Sequence, residues 1–192
     1  MFSKIIDKLI YKLLLKRIKP EIIGYENNVK EKIELTGISN MTHISNKPNV
    51  TIGKHVFIGH FNYIDGYSKV HIGEGCQITN YVSILTHSSH NTLRLHGINT
   101  IPENLKEVGL QKGDTIIGDF TYIGAHSVIM PGSKLGKGCI VSAFSYVNGV
   151  FPDYSILRGQ PAKIIGSTKE IDKIYLEKNP EIKNFYYNLT ND

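Results

Sequence analysis

Eight histidines and two cysteines are the side chains of this 192-residue chain best suited to chemistry near neutral pH. An imidazole changes charge in that range, so a positioned histidine can act as a general base toward a weakly acidic group. His43, His71 and His96 have no evident partner in the sequence and read as polar surface residues, and so does His126 in IGAHSV. His87 and His90 differ, because they stand in ILTHSSH, where a regular pattern breaks off and a long irregular stretch begins. Loops placed by a rigid scaffold are where chemistry concentrates. His87 is therefore the first candidate for a base, with His90 as its competitor. His55 and His60 lie five apart in HVFIGH, but two ligands fall short of the three protein ligands that a zinc site takes. Cys76 and Cys139 match no zinc or redox spacing and read as reduced thiols.

The elements that must position these residues follow from a repeat of six. From Ile117 the chain reads IGDFTY, IGAHSV, IMPGSK, LGKGCI, VSAFSY, V, with branched aliphatics at 117, 123, 129, 135, 141 and 147. Thr121, Ser127, Ser133, Cys139 and Ser145 form a second register of small residues, four positions after each aliphatic. An earlier block has the same grammar, with Ile52, Ile58, Ile64, Ile72, Ile78 and Ile84. It is interrupted by an eight-residue unit, IDGYSKVH, and fainter traces reach back to about residue 33. Such a pattern specifies a solenoid of short flat strands in which one aliphatic per six points inward and a small residue fits each corner. Both cysteines fall in the small register, so they read as packing residues. Residues 89–114 break the period and form a loop extruded from the stack.

Residues 2–18 carry apolar side chains at helical spacing (Phe2, Ile5, Ile6, Leu9, Ile10, Leu13, Leu14) opposite Lys4, Lys8, Lys12 and Lys16. This basic amphipathic helix either packs on the solenoid or rests on an anionic membrane surface. Ser167 and Glu170 have capping-box spacing and predict a helix from about 168 to 178, interrupted by Pro180. The division expected is an N-terminal segment 1–30, a solenoid 31–166 and a helical cap 167–192. No apolar run approaches the length of a membrane-spanning helix, and the N-terminus lacks the features of a secretory signal. The net charge of +5 comes with six basic residues in the first 20 positions, so general nucleic-acid binding is not expected. A cytoplasmic protein is expected, with the inner face of the membrane as its other possible station.

Three segments, ITNYVSILTHSSH, TIIGDFTYIGAHSVIMPGSKLGKGCIVSAFSYV and FPDYSILRGQPAKIIG, carry a resemblance to the hexapeptide-repeat acyltransferases, above all the galactoside, maltose and colanic-acid type sugar O-acetyltransferases. The resemblance covers about residues 33–166. It implies an all-β solenoid, a left-handed parallel β-helix with an N-terminal amphipathic helix, an extruded loop and a C-terminal helix, assembled as a homotrimer. It also implies acetyl-CoA as co-substrate and no resident metal. A histidine in the local context of His87 is the catalytic base in these relatives, and backbone N–H groups would stabilise the oxyanion. Matching residue by residue places coenzyme contacts at Gly124, Ala125, Ala143 and Lys163, with Arg158 supplying charge where many relatives have a lysine at the position of Gly149. Acceptor contacts fall to His90, to Tyr122, where many relatives have tryptophan, and to His55, where the galactoside type has an asparagine.

The function expected is acetyl transfer from acetyl-CoA to a sugar hydroxyl in surface-polysaccharide biosynthesis, with a saccharide or other small acceptor. Two inward thiols argue against a covalent acyl-cysteine. Two alternatives stay open. One is N-acetylation of a nucleotide-linked amino sugar on the same scaffold. The other is a zinc-dependent or non-catalytic solenoid using His55 and His60, a spacing that resembles two of the zinc ligands in the gamma class of carbonic anhydrases.

Overall fold

A computed structural model of the chain describes residues 2–98, 103 and 106–190. Its centre is a left-handed parallel β-helix of about six turns. Strands of two or three residues stack into three faces. The first carries Ile38, Ile58, Ile78, Ile123, Val141 and Leu157 in successive coils. The second carries Ile44, Ile64, Ile84, Ile129 and Val147. The third carries Ile52, Ile72, Ile117, Leu135 and Phe151.

The repeat explains this stacking. The six aliphatics from Ile117 to Val147 are at most 2% exposed, and they fill the interior as three columns. Burying one such side chain stabilises the fold by about 1.5–3 kcal/mol, and each coil gains that burial only from its neighbours. The small register has a second role at the corners. Thr121, Ser127 and Ser133 are buried, and their hydroxyls donate to the carbonyls of Gly136, Ser142 and Val147 on the next coil at 3.0–3.1 Å. A backbone carbonyl left without a partner there would be costly, so the hydroxyl register holds corner to corner. The thiols of Cys76 and Cys139 occupy equivalent positions, against the carbonyls of Gly118 (3.2 Å) and Pro152 (3.3 Å). Close approach between coils also fixes Gly124, where a Cβ atom would lie 2.5 Å from the Ala143 amide nitrogen.

Both edges of the first face end in antiparallel hairpins, which stop the parallel stack from offering an open edge there. At the lower edge Ile22–Glu26 pairs with Lys32–Ser39, and at the upper edge Ser155–Gly159 pairs with Ala162–Ser167. The first of these departs from the expected division, since residues 22–26 belong to the sheet rather than to a helical segment 1–30. An antiparallel end strand needs no six-residue period, so the repeat carries no trace of it. Helix α1 spans Phe2–Ile18, where the apolar spacing predicts it.

The extruded loop leaves after the second face and returns before the third. Thr115 and Ile117 pair directly with Val70 and Ile72, so the stack closes beneath it. Helix α2 (His90–His96) lies in the loop, and its base is a short antiparallel pair in which His87 faces Lys112 and Ser88 faces Gln111. Part of the expected loop, residues 99–102 and 104–105, lies outside the described residues. Helix α3 (Thr168–Lys178) starts at Ser167, whose side chain accepts from the Lys169 amide at 3.3 Å. Past Pro180 the chain resumes as α4 (Lys183–Thr190).

Candidate active site

His87 lies at the corner between the second and third faces, at the base of the extruded loop. Its Nδ1 sits 2.5 Å from Oδ2 of Asp65, one coil below. Asp65 is fixed by its own coil, because Ile64 pairs with Ile84 and carries the next residue under the segment that leads into the loop. The carboxylate is 2% exposed and fully engaged. Oδ2 also accepts from the Thr86 amide (3.0 Å), the Thr86 hydroxyl (3.0 Å) and the His87 amide (3.2 Å). Oδ1 accepts from the Tyr67 amide (3.1 Å) and the Ser45 hydroxyl (3.3 Å).

Burial alone would push the Asp65 carboxyl up, but the hydrogen bonds from His87, Thr86 and Tyr67 outweigh it and hold the group below its ordinary value. An ionised carboxylate only accepts, so His87 carries its proton on Nδ1 and keeps Nε2 as the acceptor. The ring is held from the side as well, stacked on Tyr67 with centroids 4.4 Å apart and planes 26° from parallel. His87 remains 36% exposed, open enough to meet an incoming hydroxyl. This corner therefore holds an oriented imidazole with a free basic nitrogen, beside a polar cavity of about 290 Å³ lined by Gln111, Lys112, Met130, Pro131 and Asn148.

Asp65, Tyr67 and Lys112 are absent from the residues that sequence reasoning singles out. A signal for Asp65 was present, since it stands second in the irregular eight-residue unit and takes the position after the aliphatic where Gly53, Gly59 and Gly73 stand in nearby units. His90 stays at the same corner, with its Nδ1 2.9 Å from the Ser88 hydroxyl oxygen.

The other expected site residues stand elsewhere on the prism. Gly124, Ala125 and Ala143 form the corner between the first and second faces. Arg158 and Lys163 are direct partners across the upper hairpin, whose Gln160 side chain donates to the Phe144 carbonyl at 2.8 Å and ties the hairpin to that same corner. Like charges directly opposite on a strand pair destabilise it, so this pair favours a bound anion such as a phosphate.

Tyr122 and His55 do not reach His87 of their own chain. Tyr122 points outward from the first face, the face opposite the His87 corner, with the aliphatic columns between them. It lines a cavity of about 270 Å³ with Phe120, Ile140, Tyr154 and Asp172. His55 occupies the corner between the third and first faces, with its Nε2 3.9 Å from Glu74 Oε1. His60 instead contacts the Ser39 hydroxyl oxygen at 2.7 Å, so the HVFIGH pair does not converge. Among the described residues no group of three or more His, Cys, Asp or Glu side chains is placed to hold a metal. His126 is stacked between Tyr81 and Phe144, each centroid 4.8 Å away.

Comparison with known proteins agrees with the fold. Residues 114–149 match the family model for the bacterial transferase hexapeptide (six repeats). A probable macrolide acetyltransferase of Lysinibacillus sphaericus is 34% identical over 126 residues, 60% of this chain and 68% of the relative. The galactoside O-acetyltransferase of Escherichia coli is 27% identical over 171 residues, 85% of this chain and 78% of the relative. A probable acetyltransferase of Mycobacterium tuberculosis is 27% identical across 74% of this chain, which spans about half of that longer relative (47%). Among solved structures, a hexapeptide-repeat acetyltransferase of Vibrio cholerae complexed with acetyl coenzyme A superposes with a TM-score of 0.53 at 26% identity, covering 66% of this chain and 64% of that one.

Proposed function

Since the chain belongs to the hexapeptide-repeat acyltransferases, we propose that it moves an acetyl group from acetyl-CoA to a hydroxyl of a saccharide acceptor, with His87 as the general base. The observation that carries this reading is the His87–Asp65 pair at the mouth of the loop. An alcohol is far too weak an acid to ionise near neutral pH, so its attack gains from a base in contact with it, and Nε2 of His87 is free to take that proton. Asp65 holds the ring in the required tautomer and opposes the positive charge that the ring acquires. Tyr67 restricts its tilt. The thioester supplies an activated acetyl group, and the imidazolium then returns its proton to the departing sulfur.

The coenzyme fits the corner that runs from Gly124 and Ala143 to Arg158 and Lys163, with backbone groups along its arm and the two cations on its phosphates. The structure of the Vibrio cholerae relative with acetyl coenzyme A supports the same co-substrate here. The galactoside O-acetyltransferase supports a sugar hydroxyl as the acceptor, and surface-polysaccharide synthesis in the cytoplasm is the setting this chemistry suits.

Within one chain the coenzyme corner and the His87 corner are separated by the second face. A complete site therefore needs the coenzyme corner of one copy set against the His87 corner of another, and a cyclic trimer does this three times over. Light scattering should give three times the 21.5 kDa chain mass, and a stable monomer with full activity would overturn the shared site. The function itself is tested by thiol release from acetyl-CoA across a panel of sugars and amino sugars. Transfer to hydroxyl acceptors that is lost on substituting His87 supports it. Transfer to amino sugars alone, or none to any saccharide, overturns it.

A further inference from the structure

Helix α1 plays no part in the site described above. Every residue from Ile5 to Leu15 is exposed, including Leu9 (61%) and Leu13 (59%), so its apolar stripe has no cover among the described residues. The stripe is broad, with Ile5, Ile6, Leu9, Ile10, Leu13 and Leu14 spread over about half the circumference at 3.6 residues per turn. A strict coiled-coil seam would be narrower. Charge is arranged on the same helix. The formal net charge of the whole chain is +5, and residues 2–19 carry all of it, since acidic and basic residues balance in the remainder.

The attachment of α1 is fixed as well. The Asn40 side chain donates to the Lys19 carbonyl (3.1 Å) and accepts from the Glu21 amide (3.0 Å), while the Asn40 amide donates to the Glu21 carbonyl (3.0 Å). This clamp ties the foot of α1 to the lowest coil of the solenoid, beside the strand that ends the first face.

We propose that α1 docks the protein on an anionic lipid bilayer, lying in the plane of the headgroups with its aliphatic stripe in the acyl boundary and its lysines toward lipid phosphates. The two contributions are complementary: apolar burial supplies adhesion, and a concentrated positive charge on an otherwise neutral protein selects an anionic surface. A second copy as the occupant would bring two like-charged helices together. On the second face His43, Tyr63 and Ser83 stack in successive coils, so the His87 level lies about 10 Å above the lowest coil. If the transfer reading above holds, a saccharide carried on a lipid is then within reach of the site.

The full chain should be tested by flotation with vesicles of phosphatidylcholine alone and with about one third phosphatidylglycerol. It should float with the anionic vesicles and not with the neutral ones. Two variants on exposed positions, Lys8→Gln with Lys12→Gln and Leu9→Ser with Leu13→Ser, should each weaken binding at least about fivefold. No flotation with anionic vesicles, equal flotation with neutral ones, or full binding by the serine variant would overturn the proposal. So would a fall in solution mass in the serine variant, which would make α1 a contact between copies. Flotation is read without turnover, so this result is independent of whether acetyl transfer is confirmed.

Discussion

His87 and Asp65 stand 22 residues apart in the chain and 2.5 Å apart in space, with both carboxylate oxygens accepting from several donors. The histidine is consequently held by a group that belongs to the rigid stack, although it stands at the base of a loop. Orientation of the imidazole is thereby uncoupled from whatever motion the rest of the loop has.

Replacing His87 by alanine should lower turnover by about two to four orders of magnitude, the usual contribution of a positioned general base. Melting temperature should fall only modestly, because the buried Asp65 carboxylate loses one donor but keeps those of Thr86, Tyr67 and Ser45, and the ring contributes little to the aliphatic columns. Steady-state thiol release and a thermal melt on the same sample check both halves. Near-normal turnover would remove His87 from the mechanism.

Asp65→Asn should reduce kcat by about tenfold or more, because an amide no longer enforces the tautomer that leaves Nε2 free. It should also destabilise the fold by roughly 1–3 kcal/mol, since several buried donors lose a charged acceptor. The sign of the pH dependence follows from the depressed carboxyl. Its contribution is complete above the unfolded value of about 3.9 and is lost as pH falls through the folded value. The gap in melting temperature between native and variant proteins should therefore hold from pH 7 to about 5 and close below about 4. A gap that is unchanged in acid would show that ionisation of Asp65 contributes nothing.

Gly124→Ala should destabilise the protein by about 1–3 kcal/mol, the usual range for an overpacked site. The added methyl would meet the backbone nitrogen of Ala143 and, at 2.8 Å, the carbonyl of Val141, and neither can rotate away. Chemical denaturation would register the loss. Coenzyme KM read beside it would separate a distorted corner from a merely weaker stack.

Neither cysteine should react with a disulfide reagent at pH 8 while the protein is folded. Burial pushes the Cys76 thiol up to about 12, which leaves almost no thiolate there, and it raises Cys139 in the same direction while shielding it from reagent. Two thiols per chain should titrate once the protein is unfolded. Rapid labelling of the native state would contradict the packing role assigned to them.

The solenoid was legible because six residues per face project directly onto three faces. Ile117 to Val147 could be assigned to the interior by counting alone, and the small register marked the corners. The antiparallel strand Ile22–Glu26 was not legible, because its place depends on covering a sheet edge rather than on any repeat. Asp65 was hidden for a related reason. Its partner lies one coil away, and the irregular unit that carries it obscures the register needed to align it with Thr86 and His87. The resemblance to sugar acetyltransferases gathered Tyr122 and His55 with His87 as one site. Within one chain face assignment separates them, since Tyr122 precedes the inward Ile123 by one residue and points out from the first face.

The closure of the stack beneath the loop has a consequence for how the protein could be retooled. Val70 and Ile72 meet Thr115 and Ile117 as though nothing intervened, and the Gly113 amide donates to the Thr86 carbonyl at 3.0 Å across the neck. The two ends of the excursion are thus a fixed socket. The entropy cost of closing a loop rises only with the logarithm of its length. A cassette of different size and composition can be seated between Ser88 and Gln111 while the coils, the His87–Asp65 pair and the cationic hairpin stay in place. On the function proposed above, acceptor choice and acyl-donor handling would then be separate modules that an engineer can exchange one at a time.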